Sequence, residues 1–312
     1  MIISASRRTD IPNYYSDWFY NRIKEGFVYV RNPFNYRQIT KISLSPDVTD
    51  GIVFWTKNPI PMLNRLEEIK NFPYYFQFTL NSYGGDIEPN VPPKNEIIIP
   101  AFIKLSEKIG RERIVWRYDP IFLTEKYNIL YHTRKFAETA EKLAPYTEKC
   151  TISFLDLYRN IKSDVKAVNI RVPDNDEIFE IAEKFSEIAE SFNLKIDTCA
   201  EKINLEKFGI GHARCVDVER FLKIAGYNLD VKKDKNQRAE CGCAESVDIG
   251  LYNSCLNGCK YCYASRGASC LEINKQSDVS SPLLSGKVGF EDFVNERVVK
   301  SSRVTQINMF DK

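Results

Sequence analysis

Short apolar, β-branched or aromatic runs recur along the chain: IISAS at 2–6, GIVFWTK at 51–57, YYFQFTL at 74–80, RIVWRYD at 113–119, TISFLD at 151–156 and KIDTCAE at 195–201. Most are followed by a polar residue, and their length and composition predict six strands. Between them, DWFYNRIKEG, MLNRLEEIKN, FIKLSEKIG, the stretch from Glu125 to about Leu143, and DEIFEIAEKFSEIAESFN carry apolar residues at helical spacing. Strand followed by helix, repeated, predicts a parallel sheet. Six units fall short of the eight of a complete TIM barrel, so the expected fold is α/β, a partial (β/α)6 TIM-like barrel.

From Gly226 onward the periodicity weakens. VKKDKNQRAECGCAESVDIGLYNSC is polar, bears cysteines and has few helix signals, as expected of a loop held by metal. A serine-rich stretch follows Ala264 to about Lys287, and FEDFVNERVV then reads as a short helix before a tail. The expected organisation is a barrel over 1–226 and a cysteine-rich iron-sulfur segment over 227–312 that folds over the barrel mouth. With 312 residues, 43% of them apolar, the chain has material for one large core.

A net charge of +2 demands no polyanionic partner. The local run Lys232, Lys233, Lys235 and Arg238 admits a nucleic-acid substrate without favouring it over a solvated loop. No apolar stretch approaches the roughly 20 residues that cross a bilayer. MIISASRRTD has too short an apolar run to direct secretion, so a cytoplasmic location without membrane association is expected. In that reducing compartment nine cysteines point to metal ligands rather than disulfides.

Three of them, Cys255, Cys259 and Cys262 in CLNGCKYC, follow the spacing C-x3-C-x2-C. Three thiolates are one too few for a four-iron cluster and leave one iron open, which marks a reactive centre. The alternative is zinc completed by Cys241 or Cys243, although zinc sites usually pair one two-cysteine knuckle with another. Cys199, Cys215, Cys241 and Cys243 form a second constellation, enough to fill every iron of an auxiliary 4Fe-4S cluster. The duller account makes Cys199 and Cys215 small buried apolar residues. Cys150 and Cys270 read as incidental. Only His132 and His212 are present; the first reads as structural, the second as a neighbour of the supposed metal loop, and no serine-histidine hydrolase motif exists.

In a parallel barrel the reacting groups sit at the C-terminal strand ends. The six ends offer Arg7, Arg8 and Asp10; Trp55, Lys57 and Asn58; Gln77, Thr79 and Asn81; Arg117 and Asp119; Ser153 and Asp156; and Asp197, Cys199 and Glu201. Some of these suit helix caps, notably Asn58 and Asp119 before prolines, or internal ion pairs such as Arg8 with Asp10 or Arg117 with Asp119. The Arg7-Arg8 pair suits an anionic group, because guanidinium binds carboxylate or phosphate through two hydrogen bonds.

The cysteine spacing, with the aromatic Tyr261 just before the third cysteine, resembles the signature of radical S-adenosylmethionine (SAM) enzymes. That resemblance implies a catalytic 4Fe-4S cluster on Cys255, Cys259 and Cys262, SAM cleaved reductively to a 5'-deoxyadenosyl radical, and Tyr261 beside the adenine. It implies SAM contacts from Arg117, Lys57, Thr79 and Ser153, a reaction centre near Arg7, Arg8, Asp10 and Asp119, and an external one-electron reductant of flavodoxin or ferredoxin type. The order differs from the usual one: the cysteine loop follows the sixth unit instead of the first strand. SASRRTDIP, FWTKNP, WRYDP, CGC and SVDIGLYNSCLNGCKYCYA together resemble the DUF1848 proteins over nearly the whole chain. No substrate follows from that resemblance. The rival expectation is a non-catalytic iron-sulfur or zinc-binding protein, or an electron-transfer protein.

Overall fold

The computed structural model describes residues 1–304. Its elements in chain order are β1 (Ile2–Ala5), α1 (Ile11–Tyr14), α2 (Ser16–Glu25), β2 (Phe27–Arg31), β3 (Gln38–Ser43), β4 (Gly51–Thr56), β5 (Tyr74–Thr79), α3 (Ile99–Ile109), β6 (Ile114–Ile121) and α4 (Ile129–Leu143). They continue with β7 (Lys149–Phe154), α5 (Lys162–Ala167), α6 (Asn175–Ser191), β8 (Lys195–Thr198), β9 (Gly211–His212), α7 (Val218–Ala225), β10 (Val247–Asp248), α8 (Ser269–Lys275) and β11 (Phe293–Glu296). Eight strands form one sheet in the order β10-β1-β4-β5-β6-β7-β8-β9. Every pairing in it is parallel. The sheet is open, with β10 and β9 at its edges.

The six expected strands are all present, and the chain is an α/β protein. Two-residue strands β9 and β10 extend the sheet beyond those six, too short for any apolar run to announce them.

Strand residues alternate between two faces. Ile3, Phe54, Phe76, Trp116, Tyr118 and Ile152 face the main core with residues of α2, α3, α4 and α6. There the ring of Trp116 stacks on Phe136 of α4 at 5.0 Å, and Phe136 stacks on Phe185 of α6 at 3.9 Å. The termini of these helices are fixed locally. Asp174 and Glu177 form a reciprocal capping box on α6, each side chain accepting the other's backbone N–H at 3.0 Å.

The alternate residues form a different face. Trp55 stands opposite Gln77, Thr79 opposite Arg117, Arg117 opposite Thr151, and Thr151 opposite Asp197. Polar side chains thus run in a row across the sheet at its C-terminal side. Below this row, Ile2, Val53 and Tyr75 pack with Phe221 of α7 and with Cys215, Cys241 and Cys243.

Two expectations need correction, and one hairpin is new. MLNRLEEIKN forms two 3-10 turns, Ile60–Met62 and Leu66–Ile69, instead of a helix. Pro59 and Pro61 remove donors at its start, and the short span between β4 and β5 still buries Met62, Leu63, Leu66 and Ile69. FEDFVNERVV supplies β11, which pairs in parallel with β3. All four β11 residues are exposed, so a helix there would have no core to bind, whereas the edge of β3 offers unpaired backbone. Phe27–Arg31 and Gln38–Ser43, assigned to no element from sequence, form an antiparallel hairpin. Residues 305–312 of the expected tail lie outside the described residues. Among the described residues no helix is long and apolar enough to cross a membrane.

His132 is structural, as expected. It is fully buried on α4, with Nδ1 2.8 Å from the Tyr118 hydroxyl and Nε2 2.9 Å from the Phe122 carbonyl. Burial pulls its pKa down to about 4, against the hydrogen bond to Phe122. The unfolded chain therefore takes up this proton near pH 6.5 and the folded chain only near 4, so stability falls as pH drops through that window. Urea titrations should show wild type more stable than His132→Gln at pH 7, with the gap shrinking by about 3 kcal/mol on going to pH 4. A gap independent of pH would mean that His132 is not held neutral.

Candidate metal centre

The loop bearing Cys255, Cys259 and Cys262 leaves the sheet from β10. Asp248 at the end of that strand accepts hydrogen bonds from Ser4, Ser6 and the backbone of Arg7, tying it to the end of β1. Asp10 then anchors the loop itself. Its carboxylate receives the Asn257 amide at 3.2 Å and the Lys57 backbone N–H at 2.8 Å, and caps α1 through Asn13 at 3.1 Å. The Tyr14 hydroxyl donates to the Asn257 amide oxygen at 2.9 Å. Burial raises the Asp10 pKa to about 6, although these donors favour its charged form. Gly258 turns the chain between the first two cysteines with φ +69°, and a Cβ there would stand 3.1 Å from Pro89.

A second anchor joins the loop to the end of β5. The Tyr261 hydroxyl donates to Glu88, and Asn81 donates to the Tyr261 oxygen at 3.1 Å. Glu88 is 1% exposed and binds the ammonium groups of Lys57 at 2.8 Å and Lys94 at 2.5 Å. Burial opposes its charge, but the two lysines more than offset that and hold its pKa down at about 2. The Lys57 ammonium also lies 5.7 Å from the Tyr261 ring centroid. The three cysteines thus stand beside the C-terminal ends of β1, β4 and β5. Cys255 and Cys259 also border a cavity of about 640 Å³ whose lining includes Tyr14, Ser265, Arg266 and Cys270.

The second cysteine set gathers at the other strand ends. Cys199 follows β8, Cys215 follows β9, and their sulfurs lie 3.2 Å apart. The backbone N–H groups of Cys215 and Val216 point at the Cys243 sulfur at 3.2 and 3.4 Å. Cys243 is in turn hydrogen-bonded to Cys241. Arg117 donates to the Cys215 sulfur at 2.8 Å and pairs with Asp119. Arg7 lies over the Trp55 ring at 4.9 Å, close enough to Cys243, Cys215 and Cys241 for their charged forms to raise its pKa against burial, and leaves Nη2 buried without a partner.

The remaining strand-end residues have varied placements. Arg117 pairs with Asp119, as the ion-pair account expected, and lies with Cys215 instead of with the three-cysteine loop. Arg8 approaches Asp248 at 3.9 Å, not Asp10, and lies over Tyr252. Ser153 donates to Asp119, Asp197 binds Lys149, Asp156 pairs with Arg238, and Glu201 accepts the Phe154 N–H at 2.8 Å. Asn58 caps the turn after β4 through the Ile60 N–H at 3.2 Å, and Gln77 donates to the Cys215 carbonyl at 2.9 Å. Thr79 stands beside Arg117 in the sheet, and His212 lies exposed next to Thr198. Cys150 and Cys270 are buried in β7 and α8. Sequence reasoning missed Glu88, Lys94, Asn257 and Asp248. Glu88 lies nine residues beyond the end of β5, and Asn257 inside the cysteine motif, where the sulfur spacing is the dominant signal.

Among the described residues no three histidine, cysteine, aspartate or glutamate side chains stand ready as they are to hold a metal ion. The donor chemistry nevertheless fits a thiophilic centre. All nine cysteines are free, and burial raises Cys255 and Cys262 and pushes Cys259 up to about 12. Such thiols stay protonated until a cation displaces the protons.

A family model described as "Domain of unknown function (DUF1848)" matches residues 2–264. The chain belongs to the DUF1848 family. The matched span includes both cysteine sets and ends two residues past Cys262, so the DUF1848 unit runs from β1 through the cysteine loop. No curated protein and no solved structure matches the chain.

Glu88 is the most sensitive point of this framework. Glu88→Ala leaves two buried ammonium groups without a counter-charge, and urea unfolding should show a loss of about 3–5 kcal/mol. Glu138→Ala, which removes the exposed pair with Lys135, should change stability by less than about 1 kcal/mol. Equal effects of the two changes would refute the ranking.

Proposed function

We propose that this DUF1848 protein is a radical SAM-type enzyme in which Cys255, Cys259 and Cys262 hold a 4Fe-4S cluster and SAM is the cosubstrate. The observation that carries the reading is a three-thiolate loop fixed at the C-terminal ends of parallel strands by Asp10–Asn257 and Glu88–Tyr261. A four-iron cluster with one open iron supplies, when bound, the electron that cleaves the SAM sulfonium to a 5'-deoxyadenosyl radical. We also read the open sheet as a partial TIM-like barrel, supported by strands β4 to β9 lying in chain order with their polar row on one face.

The chain's own residues have distinct tasks in this reading. Tyr261 presents an aromatic wall whose orientation is fixed by Glu88 and Asn81. Lys57, partly exposed and paired with Glu88, brings positive charge to the same edge, suited to a carboxylate. Thr79 and Ser153 offer hydroxyls along the strand ends, and Arg8 beside Tyr252 offers a guanidinium to the substrate. Arg117 serves the second cysteine set and Asp119 holds it there. A one-electron reductant of flavodoxin or ferredoxin type comes from outside the chain, in a reducing cytoplasm that keeps the nine thiols free.

Anaerobically reconstituted protein should show a cluster signal in electron paramagnetic resonance that changes on adding SAM, and should form 5'-deoxyadenosine under reduction. The triple variant Cys255→Ala, Cys259→Ala, Cys262→Ala should lose roughly four irons per chain together with all SAM cleavage. A signal unchanged by SAM and no 5'-deoxyadenosine would favour electron transfer, and full iron retention in the triple variant would sink the cluster assignment.

A further inference from the structure

We propose that Cys199, Cys215, Cys241 and Cys243 bind a second metal centre, separate from the three-cysteine loop and saturated by four protein thiolates. The proposal stands on its own geometry and does not need the SAM chemistry to hold. Thiols from three segments lie in pairwise contact along one side of the sheet: Cys199 and Cys215 at 3.2 Å, Cys243 with the Cys215 backbone through a 3.2 Å N–H···S contact, and Cys241 with Cys243. The second backbone donor, Val216, also points at the Cys243 sulfur. Backbone amides aimed at sulfur stabilise thiolate ligands of metal centres, because they spread the charge that the metal does not neutralise.

Charge gives an independent argument. Arg117 donates to the Cys215 sulfur at 2.8 Å, and the Arg7 guanidinium faces the same set with Nη2 buried and unpartnered. A buried guanidinium N–H without an acceptor is costly, and sulfur ligands carrying charge beside it would lower that cost. Four thiolates around a doubly charged metal core leave two negative charges, which Arg7 and the Arg117 N–H bond to Cys215 offset in part, Asp119 already sharing the charge of Arg117. The backbone is also shaped for the approach. A Cβ on Gly242, between Cys241 and Cys243, would stand 3.1 Å from the Arg214 side chain, so the absence of a side chain lets this segment lie against the stretch leading to Cys215.

Such a site is coordinatively closed, and either a four-iron cluster or a single zinc ion satisfies its chemistry. The difference is read from the metal. Full-length protein carrying the triple change Cys255→Ala, Cys259→Ala, Cys262→Ala should retain about one centre, either roughly four irons with matching sulfide or about one zinc. Adding Cys241→Ser and Cys243→Ser should remove it, whereas adding Cys150→Ala should not. Wild type provides a check that does not depend on folding of variants. With metal bound, Cys199, Cys215, Cys241 and Cys243 should resist alkylation, and anaerobic chelation should expose them several-fold, while Cys150 in β7 stays unchanged. Metal content unaffected by the Cys241 and Cys243 changes, or identical labelling of the four thiols before and after chelation, overturns the proposal.

Discussion

Buried charge at the C-terminal edge of the sheet is the constraint around which the protein is organised. Lys57, Arg117 and Asp119 lie toward or just past the strand ends, largely withdrawn from solvent and away from the main core, where an unpaired charge is costly, and Lys149 at the start of β7 pairs along the same face with Asp197 of β8. Each cation therefore has its anion: Lys57 with Glu88, Arg117 with Asp119, and Lys149 with Asp197. Two of these pairs draw in the cysteine-bearing chain. Glu88 binds Tyr261, and Arg117 binds Cys215. The loops after β5 and β9 and the C-terminal segment are held where they are largely because they complete the solvation of this edge.

The same hydrogen bonds connect the two cysteine sets. Tyr261, next to Cys262, accepts from Asn81, and Asn81 exchanges two bonds with the Asp119 backbone at 2.8 and 2.7 Å. Asp119 holds Arg117, which reaches the Cys215 sulfur. No link in this chain depends on a mobile surface side chain, and Asn81 and Arg117 are buried. The two sets thus share one continuous network of buried and partly buried polar groups along the sheet edge.

How much of this was readable in advance follows from range. The six strands and most of the longer helices are local patterns, and the sequence carries them in apolar periodicity. The three-cysteine loop is local too, as a fixed spacing. The second set is not: Cys199, Cys215 and Cys243 become neighbours only through the sheet and the loop after α7, so composition suggested a grouping that spacing could not establish. Arg117 shows the limit most clearly. Its position at a strand end was evident, but which of two cysteine sets it serves depends on its face of β6 and on the location of the loop after β9. FEDFVNERVV and MLNRLEEIKN failed for a different reason: local helical pattern was present, but no surface was available for a helix to bury in the first, and prolines with a short span intervened in the second.

The late position of the cysteine loop has a geometric resolution. A loop belongs to the C-terminal edge of a parallel sheet if the strand leading into it runs in the same direction as the others. β10 does so, pairing in parallel with β1 through Ile3 opposite Val247 and Ser4 opposite Asp248. Two residues suffice because Asp248 adds side-chain bonds to Ser4, Ser6 and the Arg7 backbone, fixing the register that a ladder this short leaves loose. The chain then emerges beside the end of β1, and Cys255 follows seven residues after Asp248. β10 thus delivers the loop to the same edge that a loop directly after β1 would reach, and leaves the segment after β1 free to contribute Arg7, Arg8 and Asp10 instead. The position of the cysteine loop thereby depends on one short edge strand and the carboxylate that holds it.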